Sequence, residues 1–121
     1  MYDELTEKII GAAIEVHRIL GPGLLESIYE EALCHELSLR GIKYERQLDA
    51  NVYYKDIVIS GQRIDLLVEG EVVVEIKALK KLPDVATAQT LSYLKATDKS
   101  RALLVNFGQK KLVDGIKRFT M

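Results

Sequence analysis

The sequence predicts an α/β fold: a mixed β-sheet flanked by helices, in the order α-α-β-β-β-β-α-β-α. Three observations carry this prediction. Apolar residues recur at helical spacing over residues 4–20 and again over 24–40. Between residues 42 and 77 they alternate, the period of strands. Beyond residue 77, a helical pattern leads into the continuous apolar run Arg101-Ala-Leu-Leu-Val-Asn106-Phe. Helix then strand after a hairpin implies a crossover connection, and so a parallel pair in the sheet.

The first helix takes its apolar face from Leu5, Ile9, Ala12, Ala13, Val16, Ile19 and Leu20. His17 lies within it and reads as a surface or boundary residue rather than a ligand. Gly21-Pro22-Gly23 stops the helix, because Gly accepts a left-handed backbone and Pro cannot continue the ladder. The second helix runs from about Leu24 to Arg40, with Leu25, Ile28, Tyr29, Ala32, Leu33, Leu37 and Leu39 apolar. Strands follow over 42–60, turned at Lys55-Asp56, with Arg46, Asp49 and Lys55 expected to face solvent. Ser60-Gly61 turns the chain into a strand carrying Asp65, and Glu69-Gly70-Glu71 turns it again into Val72–Lys77. Pro83 and Asp84 mark a helix start, with Asp84 as N-cap, and that helix reaches about Ala96. Gln109 to Phe119 places Leu112, Val113, Ile116 and Phe119 at helical spacing and predicts a closing helix with a basic side.

The chain of 121 residues is long enough for one real core, and 1–121 reads as one domain. No apolar run approaches the ~20 residues of a membrane span. The polar, acidic start is unlike a secretory signal, and a cytoplasmic protein is expected. Cys34 is the single cysteine, which excludes an internal disulfide and a cysteine-based zinc site. The net charge of −1 hides an asymmetry. Residues 1–75 carry 7 Lys/Arg against 15 Asp/Glu, and residues 76–121 carry 10 against 3. Such a chain can turn a basic face to phosphates, or its halves can interleave and neutralise each other.

The chemistry concentrates in the hairpin 61–77. Glu75 and Lys77 point to one face of a strand whose other face is Val72, Val74 and Ile76. Antiparallel pairing brings Asp65 within reach. Two carboxylates on neighbouring strands suit a hard cation such as Mg2+, and a lysine beside it can hold a water or a phosphate oxygen. On these residues alone, a solvated surface hairpin is equally compatible. Glu26, in the first turn of the second helix, complements the helix dipole, yet it shares a face with Tyr29 and Leu33 that should be buried. Gln89 and Tyr93, four apart on the third helix, suit either a hydrogen-bonding pair near the site or a polar flank.

Taken together, Glu26, Gly61-x-x-x-Asp65, Glu75-Ile76-Lys77 and Gln89-x-x-x-Tyr93 resemble the PD-(D/E)xK nuclease superfamily in its RecB-like pattern. Gly23-Leu-Leu-Glu26-Ser-Ile-Tyr29 is similar to the signature of the GxxExxY family within it. The resemblance implies a restriction-endonuclease-like core and a nuclease dependent on Mg2+ or Mn2+ that acts on nucleic acid, with DNA favoured. It implies Asp65, Glu75 and the Ile76 carbonyl as metal ligands, with Glu26 near the metal, directly or through water. Lys77 would act on the attacking water. Gln89, Tyr93, Lys80 and Lys81 would orient the active-site strand or contact nucleic acid. Cutting both strands of a duplex suggests a homodimer. The alternatives are a non-catalytic module of the same fold that binds nucleic acid or protein, and a purely structural interaction protein.

Overall fold

A computed structural model describes residues 3–121. Two helices, α1 (Glu4–Leu20) and α2 (Glu26–Leu39), are followed by β1 (Tyr44–Asp49), β2 (Val52–Tyr54), β3 (Ile57–Ile59), β4 (Arg63–Val68) and β5 (Val72–Lys77). Helix α3 (Asp84–Thr97), β6 (Arg101–Asn106), a 3-10 turn (Leu112–Gly115) and β7 (Ile116–Thr120) complete the chain. Five strands form one sheet in the order β1-β4-β5-β6-β7. β5 and β6 are parallel, joined by α3, and the other pairs are antiparallel. The mixed sheet flanked by helices matches the fold class read from the sequence.

The two faces of the sheet have separate cores. Val72, Val74, Ile76, Leu103 and Val105 pack against Ile9, Ala13, Leu33 and Leu37 of α1 and α2. On the other face, Val73 and Ala102 pack with Leu94 of α3, flanked by Tyr93 and Ala96. Glu75 and Lys77 therefore share the face covered by α3, as strand alternation requires. His17 is buried rather than at the surface, and its Nε2 donates to the Gln109 carbonyl over 2.8 Å. Cys34 is buried, and burial pushes its thiol up to about 11, so it is inert.

The chain ends in a strand, not in the helix expected over 109–119. Leu112, Val113, Ile116 and Phe119 have helical spacing, but Ile116 packs with the α1/α2 core and Phe119 with the α3 core. Residues three apart share a face on a helix and take opposite faces on a strand. Gly115 also breaks the helix: a Cβ there would lie 2.3 Å from the Asn106 carbonyl oxygen. The open edge of β6 supplies the ladder that Ile116–Thr120 completes.

The stretch 42–60 holds three strands rather than two. It breaks at Ala50, whose N–H bonds to the Gln62 carbonyl over 2.7 Å. β2 and β3 then form a separate hairpin, and the observed order is α-α-β-β-β-β-β-α-β-β apart from the 3-10 turn. Two smaller boundaries shift. The N-cap of α3 is Pro83, with Asp84 as its first helical residue, and α2 begins at Glu26 after Leu25.

Candidate functional site

Asp65 and Glu75 meet where the β4–β5 ladder stops. Pairing runs through Val68↔Val72, Leu67↔Val73 and Leu66↔Val74 and no further. Beyond it, each carboxylate replaces the missing ladder bond on the opposite strand. The Asp65 N–H donates to Glu75 Oε1 over 2.9 Å, and the Ile76 N–H donates to Asp65 Oδ2 over 2.8 Å. The strands part at this level and the two side chains fill the opening. Glu75 is 3 % exposed.

Other elements bring further groups to the pair. Glu26 opens α2, and its carboxyl interacts with Lys77, Asp65 and Glu30. Its position is set by Tyr29, whose hydroxyl donates to the Gly21 carbonyl over 2.5 Å and accepts the Leu24 N–H over 3.1 Å. The Tyr29 ring stacks on Phe107 with centroids 4.6 Å apart. The Phe107 N–H in turn bonds to the Lys77 carbonyl over 2.8 Å. The glycine turn, the start of α2 and the exit of β5 are thus one packed unit. Gly23, with φ +104°, adopts a backbone that favours glycine. From α3, Tyr93 is half-buried and lies close enough for the Glu75 and Asp65 charges to act on its hydroxyl.

Burial and mutual repulsion dominate the electrostatics. Glu75 is pushed up to about 8, by burial first and then by the Asp65 charge, while the Asp65 N–H and Lys77 oppose the shift. Asp65 is raised by burial, with the Ile76 N–H pulling it back and Glu30 adding repulsion. Glu26 is raised by burial and by Asp65 and Glu30, against Lys77. Several carboxylates share one ammonium, so the negative charge is under-compensated. Hard oxygen donors in that state fit Mg2+ or Mn2+, which would relieve the repulsion. Among the described residues, no three Asp, Glu, His or Cys side chains stand together as a ready cage. A cation held here needs oxygen from elsewhere, from backbone, water or substrate.

The remaining sequence candidates lie at the margin. Lys80 and Lys81 are exposed on the loop after β5. That loop is pinned by the buried Asn106, whose side chain accepts the Leu79 N–H and donates to the Leu79 carbonyl over 2.9 and 2.8 Å. Gly108 lets the backbones touch, since a Cβ there would lie 2.2 Å from the Leu79 oxygen. Gln89 is exposed one turn before Tyr93 on α3, and no hydrogen bond ties it to the carboxylates. A wide, open concavity lined by Tyr44, Glu45, Leu67 and Gly70 lies away from the site and contains none of its groups.

Glu30, Arg46, Gln47 and Asn106 escaped the sequence reading. Glu30 is buried, and Arg46 binds it from Nη2 over 2.9 Å while reaching Glu31 from Nη1 over 2.6 Å. Arg46 is exposed as expected, but it is engaged on both sides. The available signal was that Glu30 follows Glu26 by four residues and so shares its helix face.

A family model described as the PD-(D/E)XK nuclease superfamily matches residues 3–119. No curated protein and no solved structure matched the chain.

Proposed function

Since the chain belongs to the PD-(D/E)XK nuclease superfamily, we propose that it is a metal-dependent nuclease that hydrolyses phosphodiester bonds, with DNA as its substrate. The observation that carries this reading is the carboxylate pair: Asp65 and Glu75 exchange backbone bonds at the end of a ladder, with Lys77 two residues on. In this reading Asp65, Glu75 and the Ile76 carbonyl hold Mg2+ or Mn2+, and Glu26 approaches through water. When bound, the ion supplies Lewis-acid stabilisation of the phosphate and lowers the pKa of water. The Lys77 ammonium orients the attacking water and stabilises charge developing on the phosphate oxygens. The Tyr93 hydroxyl and the Gln89 amide orient the scissile phosphate or the strand that carries the site. The Gly23, Glu26 and Tyr29 spacing supports the GxxExxY branch of the superfamily. The reading includes one nuclease unit over 1–121, a cytoplasmic location and a homodimer that supplies two sites.

The charge asymmetry supports a nucleic-acid partner. All six arginines are in ion pairs, including Arg101 with Asp3 and Glu71 and Arg118 with Glu7. Of the lysines, only Lys8 pairs, among the described residues. Only Arg101 and Arg118 pair across the two halves, so the lysines of the basic half are left without ion pairs among the described residues. Lys80, Lys81, Lys110 and Lys111 are exposed on two loops that touch, since Gln109 Nε2 donates to the Lys80 carbonyl over 3.1 Å. Replacing Lys80 and Lys81 together by glutamine is expected to weaken duplex binding at all sequences. The slope of log K against log salt should fall by about 2, from the loss of two phosphate contacts. Fluorescence anisotropy across a salt series measures it.

The deciding assay incubates the full chain with single-stranded, duplex and branched DNA and with RNA, in Mg2+, in Mn2+ and in chelator. Metal-dependent cleavage that is lost in Asp65→Ala and Glu75→Ala establishes the nuclease. Salt-sensitive binding without cleavage in any of these mixtures identifies a binding module instead.

A further inference from the structure

Arg46 and Gln47 are consecutive residues of β1, yet both side chains reach Glu30. Arg46 Nε and Nη2 donate to Glu30 Oε2 over 3.2 and 2.9 Å, and Gln47 Nε2 donates to Oε1 and Oε2 over 3.0 and 3.2 Å. Consecutive strand residues face opposite ways. The conflict is resolved in the backbone, where Gln47 has φ +54°. A non-glycine residue in that region inside a strand carries a conformational cost, and such costs collect where geometry serves a site. Packing does not offset it: Gln47 is exposed and belongs to neither core.

The neighbouring strand breaks its alternation at the same level. Ile64 packs with the α3 core and Leu66 with the α1/α2 core, although residues two apart on a strand share a face. The residue between them is Asp65. In the β1–β4 ladder, Arg46↔Leu66 and Leu48↔Ile64 pair, and the step between them, Gln47 opposite Asp65, does not. The Gln47 amide, held by its two bonds to Glu30, stands within reach of the Asp65 carboxylate across that open step.

We infer that Gln47 is a positioning residue for Asp65: Glu30, clamped by Arg46, holds the Gln47 side chain in a strained turn of β1 from which its amide fixes the Asp65 carboxylate for a divalent cation. This inference rests on the metal-dependent reading above. It gives the Glu30–Arg46 pair a purpose, since a buried carboxylate needs a partner and this one uses its second oxygen to aim an amide. It also explains why the ladder fails at one step only.

The test separates the amide from the backbone. Gln47→Met keeps the length and the strain of the residue and removes the amide. Gln47→Gly removes the amide and relieves the strain. Each is titrated with Mn2+ by calorimetry as the full chain, and each is unfolded in urea. Both variants are expected to bind Mn2+ about 10–100-fold more weakly than wild type, the usual effect of losing a group that orients a ligand. Gln47→Gly should be at least as stable as wild type and Gln47→Met no more stable. Wild-type affinity in either variant overturns the inference, and if only Gln47→Gly is impaired, the backbone rather than the amide matters. If wild-type protein binds no Mn2+, the metal reading itself falls, and the inference with it. Binding by wild type that is unchanged in both variants removes the inference alone.

Discussion

Replacing Lys77 by alanine is expected to lower metal-dependent cleavage by about 100- to 1,000-fold, the usual effect of removing one preorganised charge from a developing oxyanion. The fold should survive. Lys77 is only partly buried at the end of β5, and its backbone bond to Phe107 does not depend on its side chain. Mn2+ affinity should hold or rise, because an ammonium beside Asp65, Glu75 and Glu26 repels a cation that those carboxylates attract. Lys77→Arg keeps the charge but spreads it over a planar fork, and should not restore the rate. Single-turnover cleavage alongside calorimetry checks all three statements. Full activity in Lys77→Ala would remove the lysine from the mechanism. Loss of Mn2+ binding in the same variant would show a role in building the site.

The second large effect is on stability, and its sign is opposite to the usual carboxylate. Glu75 has a folded-state pKa of about 8 against 4.5 for the free side chain. Below 4.5 both states are protonated and the fold bears no penalty. As pH rises from 4.5 towards 8, the unfolded chain releases its proton while the folded one keeps it, so stability falls. One such group contributes a slope of up to ~1.4 kcal/mol per pH unit. Asp65 and Glu26, both raised, act in the same direction. In chelator, the urea midpoint should therefore fall from pH 5 to pH 8. Glu75→Gln should flatten that fall and be more stable than wild type at pH 8, by on the order of a few kcal/mol. Mn2+ should restore wild type at pH 8 and leave Glu75→Gln almost unchanged, because binding to the folded state alone stabilises it. An equal fall in wild type and Glu75→Gln would place the penalty elsewhere.

The central sheet, the α1/α2 pair and α3 were legible because they follow from periodicity. Val72, Val74 and Ile76 announce a buried face, and Glu75 and Lys77 then have to share the other. The closing strand was not legible. Its apolar positions satisfy two periods at once, and only the vacant edge of β6 and the contact of Gly115 with Asn106 decide between them. The hairpin 52–59 was hidden for a related reason, since continuous alternation does not reveal where a strand leaves one sheet for another. At the candidate site, the sequence exposed the residues at fixed spacing, Glu26, Asp65, Glu75, Lys77 and Tyr93. It concealed Glu30, Gln47 and Asn106, whose importance lies in partners 16 to 27 positions away. Gln47 was beyond reach altogether, because nothing in a one-letter string reports a positive φ.

The reciprocal bonds of Asp65 and Glu75 also bear on the order in which the molecule assembles. The two residues lie on one hairpin, whereas Lys77 is docked through Asn106 and Phe107, which arrive only after the α3 crossover. Hairpins close in microseconds, and parallel strands of long sequence separation come together later. The carboxylates thus meet before the protein has dried and enclosed them, while water still screens their repulsion. Their desolvation falls on the last stage, when α3 covers the sheet. Early folding is then expected to be indifferent to this charge pair, with pH, and any divalent ion that the proposed site holds, acting on the final docking step.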